Sequence, residues 1–82
     1  MGEINRLLAR TAWNDPSLKH LNLYGRGVDC AHVQDIADAL RSNTFVTSID
    51  FDFNDLTADA AEPIVEILTN HSTLLEVDLD RN

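Results

Sequence analysis

The sequence predicts a right-handed α/β solenoid, with short parallel strands on its concave side and helices on its convex side. Three observations carry that prediction. First, Leu18-Lys19-His20-Leu21-Asn22-Leu23, Val46-Thr47-Ser48-Ile49-Asp50-Phe51 and Leu74-Leu75-Glu76-Val77-Asp78-Leu79 share one apolar pattern, LxxLxL, at a constant spacing of 28 residues. Second, the register holds between the blocks without insertion. Val28 matches Leu56, and Val33, Ile36, Ala37 and Leu40 match Ala61, Ile64, Val65 and Leu68. Third, the two halves of the repeat differ in period. The block ends in apolar alternation, as in a strand with one buried face. The intervening stretch places apolar residues at i, i+3, i+4 and i+7, as along one side of a helix.

The elements follow in order within a single domain, 1–82. A helix is expected over 3–13, with Ile4, Leu7, Leu8 and Ala12 on one face and Glu3, Arg6 and Arg10 opposite. Leu8 stands 28 residues before Ile36 and Ala12 stands 28 before Leu40. The segment therefore reads as a helix without its strand, covering the first repeat. Trp13 reads as a packing residue at the join, its ring closing the end of the core. Repeat 1 spans 18–45, with a strand at 20–24 and a helix at 30–42. Repeat 2 spans 46–73, with a strand at 48–52 and a helix at 58–70. Residues 74–82 form an incomplete third repeat with a strand at 76–80. Thr57 and Asp29 are the expected helix caps, and Asn43 and Asn70 sit where the helices stop. Pro63 favours a first helical turn, so the second long helix starts near Glu62 or is kinked there. Strand, helix and strand at this spacing form a parallel unit with a right-handed crossover. The helix is wider than the strand, so stacking curves the array.

Composition narrows the function. Fourteen acids against six bases give a net charge of −8. That field repels nucleic acid and anionic membranes and favours a cationic partner. The single cysteine, Cys30, excludes an internal disulfide and any multi-cysteine metal site, and a reduced thiol points to the cytoplasm. No stretch approaches the roughly 18 apolar residues of a membrane span. The N-terminus lacks a signal-peptide core, and Arg6 breaks the myristoylation pattern. His20, His32 and His71 share no ligand spacing. Gly25-Arg26-Gly27 is too short for a phosphate loop, and Cys30 aligns with the small Ala58. No catalytic constellation is present, so neither an enzyme nor a cofactor is expected.

Candidate contact residues come from the strands. With the consensus apolar residues pointing inward, the residues between them point outward in three columns. These are His20, Ser48 and Glu76; Asn22, Asp50 and Asp78; and Tyr24, Asp52 and Asp80. Asp50, Asp52, Glu76, Asp78 and Asp80 thus converge on one surface, although neighbouring like charges destabilise a sheet. Three readings stand. The face binds a protein partner with a basic patch, with Asn22 contributing and Tyr24 as an aromatic anchor. It holds a divalent cation weakly between aspartates. Or it is a solvated face that keeps an open sheet from aggregating.

The blocks Leu18 to Arg26, Val46 to Asn54 and Leu74 to Asn82 resemble the LxxLxLxxN of leucine-rich repeats of the ribonuclease-inhibitor type. Asn14-Asp15-Pro16-Ser17-Leu18-Lys19, followed by Leu21-Asn22-Leu23, is similar to the opening of the first repeat in tropomodulin and leiomodin. That family binds actin and caps filament ends, so this resemblance implies a cytoskeletal actin-regulating domain. The family's tropomyosin-binding and flanking actin-binding segments have no match here. Actin is itself acidic, which argues against an actin role for the acidic face. In the leucine-rich-repeat family the asparagine satisfies buried backbone groups in the turn after the strand. Gly25-Arg26-Gly27 replaces the Phe53-Asn54-Asp55 of the second repeat, and Arg26 cannot accept hydrogen bonds. The two glycines suggest a different, φ-positive turn there. The chain stops at Asn82 with no helix after the third block. The expectation is a fragment of a longer solenoid, or a chain that self-associates at its C-terminal edge.

Overall fold

Leu21, Ile49 and Val77 occupy equivalent places in three consecutive extended segments, and the sheet follows from that equivalence. The computed structural model describes residues 2–71 and 73–82. Its strands are β1 (His20–Asn22), β2 (Ser48–Asp50) and β3 (Glu76–Asp78). They pair in parallel in the order β1-β2-β3. His20 faces Ser48 and Ser48 faces Glu76; Asn22 faces Asp50 and Asp50 faces Asp78. The sequence offset is therefore the sheet register. Backbone bonds continue past the strands, from Leu23 N–H to Asp50 O at 3.0 Å and from Phe51 N–H to Asp78 O at 2.9 Å.

Three helices complete a mixed α/β fold: α1 (Gly2–Ala12), α2 (Cys30–Leu40) and α3 (Ala61–Asn70), the last led in by a 3₁₀ turn at Ala58–Ala60. Helix α2 lies between α1 and α3. Leu21, Leu23, Ile49 and Phe51 from the strand segments meet Val33, Ile36 and Leu40 of α2 and Ile64 and Ile67 of α3 in one buried core. The match of α3 to α2 ends at this packed face. Ala37 and Leu40 are each 2% exposed, whereas their counterparts Val65 and Leu68 are 58% and 56% exposed. Helix α2 has a helix on each side; α3 has none on its outer side among the described residues.

The turn between β2 and the 3₁₀ turn depends on Asn54. Its Oδ1 accepts from the backbone N–H groups of Arg26 (3.0 Å) and Val28 (2.9 Å), and its Nδ2 donates to Leu23 O and Phe51 O, both at 2.8 Å. Buried backbone groups in an irregular segment need such partners. Asn82 repeats the arrangement at the sheet's open edge, accepting from Leu56 N–H and donating to Phe51 O and Leu79 O. Arg26, at the equivalent place in the first turn, instead pairs its guanidinium with Glu3. The positive φ of Gly25 (58°) is not special to that turn, because Phe53 (60°) and Arg81 (61°) adopt it at the same offset. Only Gly27 (70°) departs.

Helix ends follow local chemistry, with some departures from expectation. Asp29 caps α2 through a reciprocal box in which it accepts from His32 N–H while the His32 ring accepts from its own N–H. Thr57 makes no side-chain cap bond; the 3₁₀ turn supplies the start, and Pro63 falls in the first turn of α3. In α1 the buried residue is Thr11, whose hydroxyl donates to Leu7 O at 2.7 Å, while Ala12 is exposed. Thr11 continues the face of Ile4, Leu7 and Leu8 at i+7, and Asn43 Nδ2 donates to its carbonyl. The same Asn43 accepts from Phe45 and Val46 N–H. Trp13 does not close the core; it stands 78% exposed.

Replacing Asn54 with Ala leaves several buried backbone groups without partners. At about 1–3 kcal/mol for each orphaned group, a loss of about 3 kcal/mol is expected in urea denaturation, and a smaller loss for Asn82→Ala at the exposed edge. His71 occupies the counterpart position of Asn43. Burial pushes its imidazole below the ordinary 6.5, and its Nε2 has no partner among the described residues. The folded state thus binds this proton less readily than the unfolded chain. Its contribution to stability is complete above about pH 6.5 and declines as pH falls below that value. Thermal melts between pH 7.5 and 5 should show the decline, and His71→Asn should flatten it.

Candidate protein-interaction surface

The outward residues at the ends of the strands first serve the backbone. Asn22 Oδ1 accepts from Tyr24 N–H at 3.3 Å, and Asp50 Oδ1 accepts from Asp52 N–H at 2.9 Å. These side chains close turns that take the chain off the strand. Asp52 then reaches sideways, its Oδ1 accepting from Asp80 N–H at 2.7 Å. An amide or carboxylate is thus required at these positions for local reasons, and parallel stacking brings them together. His20 and Ser48 join in the same way, through Nδ1 and Oγ.

The product is a concentrated negative patch. Carboxylate oxygens of Asp50, Asp52 and Asp78 lie within 4.8 Å of one another, all three residues half-buried. Partial desolvation is the main cause that holds the Asp78 carboxyl above its usual range, and the charges of Glu76, Asp52, Asp50 and Asp80 add to it. The five predicted acids therefore do act on a common point. Each of the three aspartates offers a carboxylate oxygen to that point, and second carboxylate oxygens or water would have to complete the roughly six to eight ligands of a calcium ion there.

Tyr24 lies at the far end of this ridge, paired with a residue outside the predicted columns. Its ring centroid is 4.9 Å from that of Phe53, tilted by 46°. The Arg81 guanidinium lies 5.7 Å from the Phe53 centroid. Both rings are about half exposed. Phe53 and Arg81 share the repeat column of Gly25, and the irregularity of that column was the one sequence signal available. The surface is therefore an acidic ridge ending in an aromatic pair covered on one side by a cation. Elsewhere, Arg10 and the Ser17 N–H and hydroxyl hold the Asp15 carboxyl down at about 2. This ties the end of α1 to the approach to β1.

No protein-family model and no curated protein sequence matches the chain. Solved structures share its fold, among them a tropomodulin domain and a leiomodin domain. The tropomodulin C-terminal domain of Caenorhabditis elegans superposes with a TM-score of 0.82 at 13% identity, covering 94% of this chain and 47% of that one. Leiomodin-1 Actin-Binding Site 2 superposes with a TM-score of 0.68 at 20% identity, covering 98% of this chain and 64% of that one. The chain thus spans about half to two thirds of the length of these domains. No helix among the described residues is long and apolar enough to cross a membrane.

The raised Asp78 carboxyl has a defined consequence. Its repulsion is relieved by protonation, so its contribution to stability is complete below the ordinary 3.8 and is lost as pH rises through its higher folded value. Asp78→Asn should therefore raise the melting temperature at pH 7. The gain should shrink in 1 M salt, where the Debye length is about 3 Å.

Proposed function

We propose that this chain is a non-catalytic, cytoplasmic protein-binding module of leucine-rich-repeat type, and that its partner is actin. The fold shared with leiomodin-1 Actin-Binding Site 2 and with the tropomodulin C-terminal domain, over nearly the whole chain, carries this reading. The Asn14-to-Leu23 segment supports it from the sequence side. The asparagine positions Asn54 and Asn82, each satisfying backbone groups of the preceding unit, support the repeat assignment. Co-sedimentation with actin filaments and cross-linking to monomeric actin test the reading. Binding to at least one form is expected, and binding to neither overturns it.

A second reading concerns the ridge itself. The mutual repulsion around Asp78 favours a basic protein segment that neutralises Asp50, Asp52, Glu76, Asp78 and Asp80, with Tyr24 as its aromatic anchor and Asn22 at its margin. Actin, being acidic, contacts another part of the surface. The two readings separate with one variant. Asp50→Asn with Asp52→Asn retains the oxygens that accept Asp52 and Asp80 N–H while removing two charges. It should slow association of an oligolysine-rich peptide roughly tenfold at low salt and leave actin binding unchanged. Equal loss of both would merge the two sites. Unchanged peptide association would remove the ridge as a contact.

A further inference from the structure

Trp13 is the one tryptophan of the chain, and the core does not use it, since it stands 78% exposed. Its position is nevertheless fixed from both sides. Its N–H donates to Ala9 O at 2.9 Å, so the residue continues the spiral of α1. Beyond it, Asn14 takes a positive φ of 59° and clasps Thr44, accepting from its N–H at 2.8 Å and donating to its hydroxyl at 3.1 Å. Arg10 ties the same loop to α1, its Nε donating to Asp15 at 2.8 Å and its Nη2 to Ser17 at 3.1 Å. A large ring on a backbone held in this way loses little freedom on binding.

Arg6 lies seven residues before Trp13, two helical turns away on the same face of α1. That face is the outer one. One 28-residue period later the matching residues are Gln34 and Arg41, and both are exposed although α2 has a helix on each side. Arg6 and Trp13 are thus open because they point away from the stack, and a further unit before α1 would leave them so.

Charge gives the chemistry of the occupant. Residues 1–23 hold three of the six bases and two of the fourteen acids, a net +1, whereas residues 24–82 hold three bases and twelve acids, a net −9. Both N-terminal acids are already paired, Glu3 with Arg26 and Asp15 with Arg10. Arg6 and Lys19 are exposed and have no ion-pair partner among the described residues. An acidic surface is therefore repelled by most of the molecule and admitted at this end. Resting on the actin reading above, we infer that actin engages the outer face of α1, with Trp13 as the apolar anchor and Arg6 as the cation. The contact lies on the helix side of the molecule, away from the acidic ridge. A fixed, exposed tryptophan on one face with an unpaired arginine has the composition of a binding hot spot.

Fluorotryptophan incorporated into the full chain places a single fluorine reporter at Trp13. Its resonance in the free chain should show the shift between ordinary and heavy water that marks an exposed ring, and unlabelled actin should remove most of it. Trp13→Ala should weaken actin binding roughly thirtyfold, and Arg6→Glu roughly tenfold at low salt and less at high salt. Val65→Ala trims an exposed apolar side chain on α3 and should bind as the wild type does. All three replace exposed side chains, and their circular dichroism melts should match the wild type. A wild-type chain that binds neither form of actin overturns the actin reading and this contact with it. Actin binding that survives both α1 substitutions, with the solvent shift retained, overturns the contact alone. So does equal weakening by Val65→Ala. Loss of the solvent shift on concentrating the chain without actin would give the face to a second copy and overturn the contact as well.

Discussion

The fold depends on how the chain leaves each strand without stranding its own peptide groups. A strand that turns directly into a helix exposes donors and acceptors to an apolar interior, where each unmatched group costs about as much as a lost hydrogen bond. Asn54 resolves this for the middle of the molecule. It is 2% exposed and bonds backbone on both sides of itself, in its own unit and in the one before. That reach backward is what fixes the period. A residue inserted between Val28 and Asn54 would move the amide off Val28 N–H, and the apolar columns would lose register in the same step. The buried apolar columns supply most of the burial energy, and the asparagine determines which of their residues lie next to one another.

The same register produces the acidic ridge. Strands β1 and β2 each end in a side chain that accepts its second-neighbour N–H, Asn22 and Asp50, whereas after β3 the Asp80 N–H is accepted by Asp52 of the neighbouring unit. Stacking then aligns these residues whether or not their charges suit one another. The conflict is concentrated on Asp78, where partial burial and neighbouring acids both disfavour ionisation. Local turn chemistry therefore accounts for an oxygen acceptor at these positions, and it does not account for the charge. Asparagine would serve equally well, as it does at position 22. The excess of carboxylate over amide toward β3 is the part of the surface that turn chemistry leaves unexplained.

Much of this was legible in the sequence because it depends on spacing. The offset between Leu21, Ile49 and Val77 gave the strand order, direction and pairing. The helical face of α2 followed from Val33, Ile36, Ala37 and Leu40. What periodicity does not encode is whether a neighbour is present. Val65 and Leu68 carry the same pattern as Ala37 and Leu40, yet they are exposed because no helix among the described residues lies beyond α3. Contacts between distant segments were likewise hidden. Thr11 lies at i+7 from Ile4, on the face of Leu7 and Leu8, but its polar side chain hid that place, and the bond from Asn43 to its carbonyl joins segments distant in sequence. Thr57 has the composition of a cap, but the 3₁₀ turn opens the helix without it. His32 completes a capping box that sequence patterns reserve for Glu or Gln. At the surface, the acids were found by column, whereas Phe53 was missed because its column also holds Gly25 and Arg81. The left-handed backbone common to all three, rather than their side chains, is what they share.

Amide hydrogen exchange at Val28 tests the central claim most directly. Val28 lies in no helix or strand, and among the described residues its N–H is bonded only through the Asn54 side chain. If that side chain joins consecutive units, this amide exchanges only through global unfolding, as slowly as the amides of α2 at Ile36 and Leu40. Exchange at the rate of an exposed loop amide, with α2 still protected, would contradict the account.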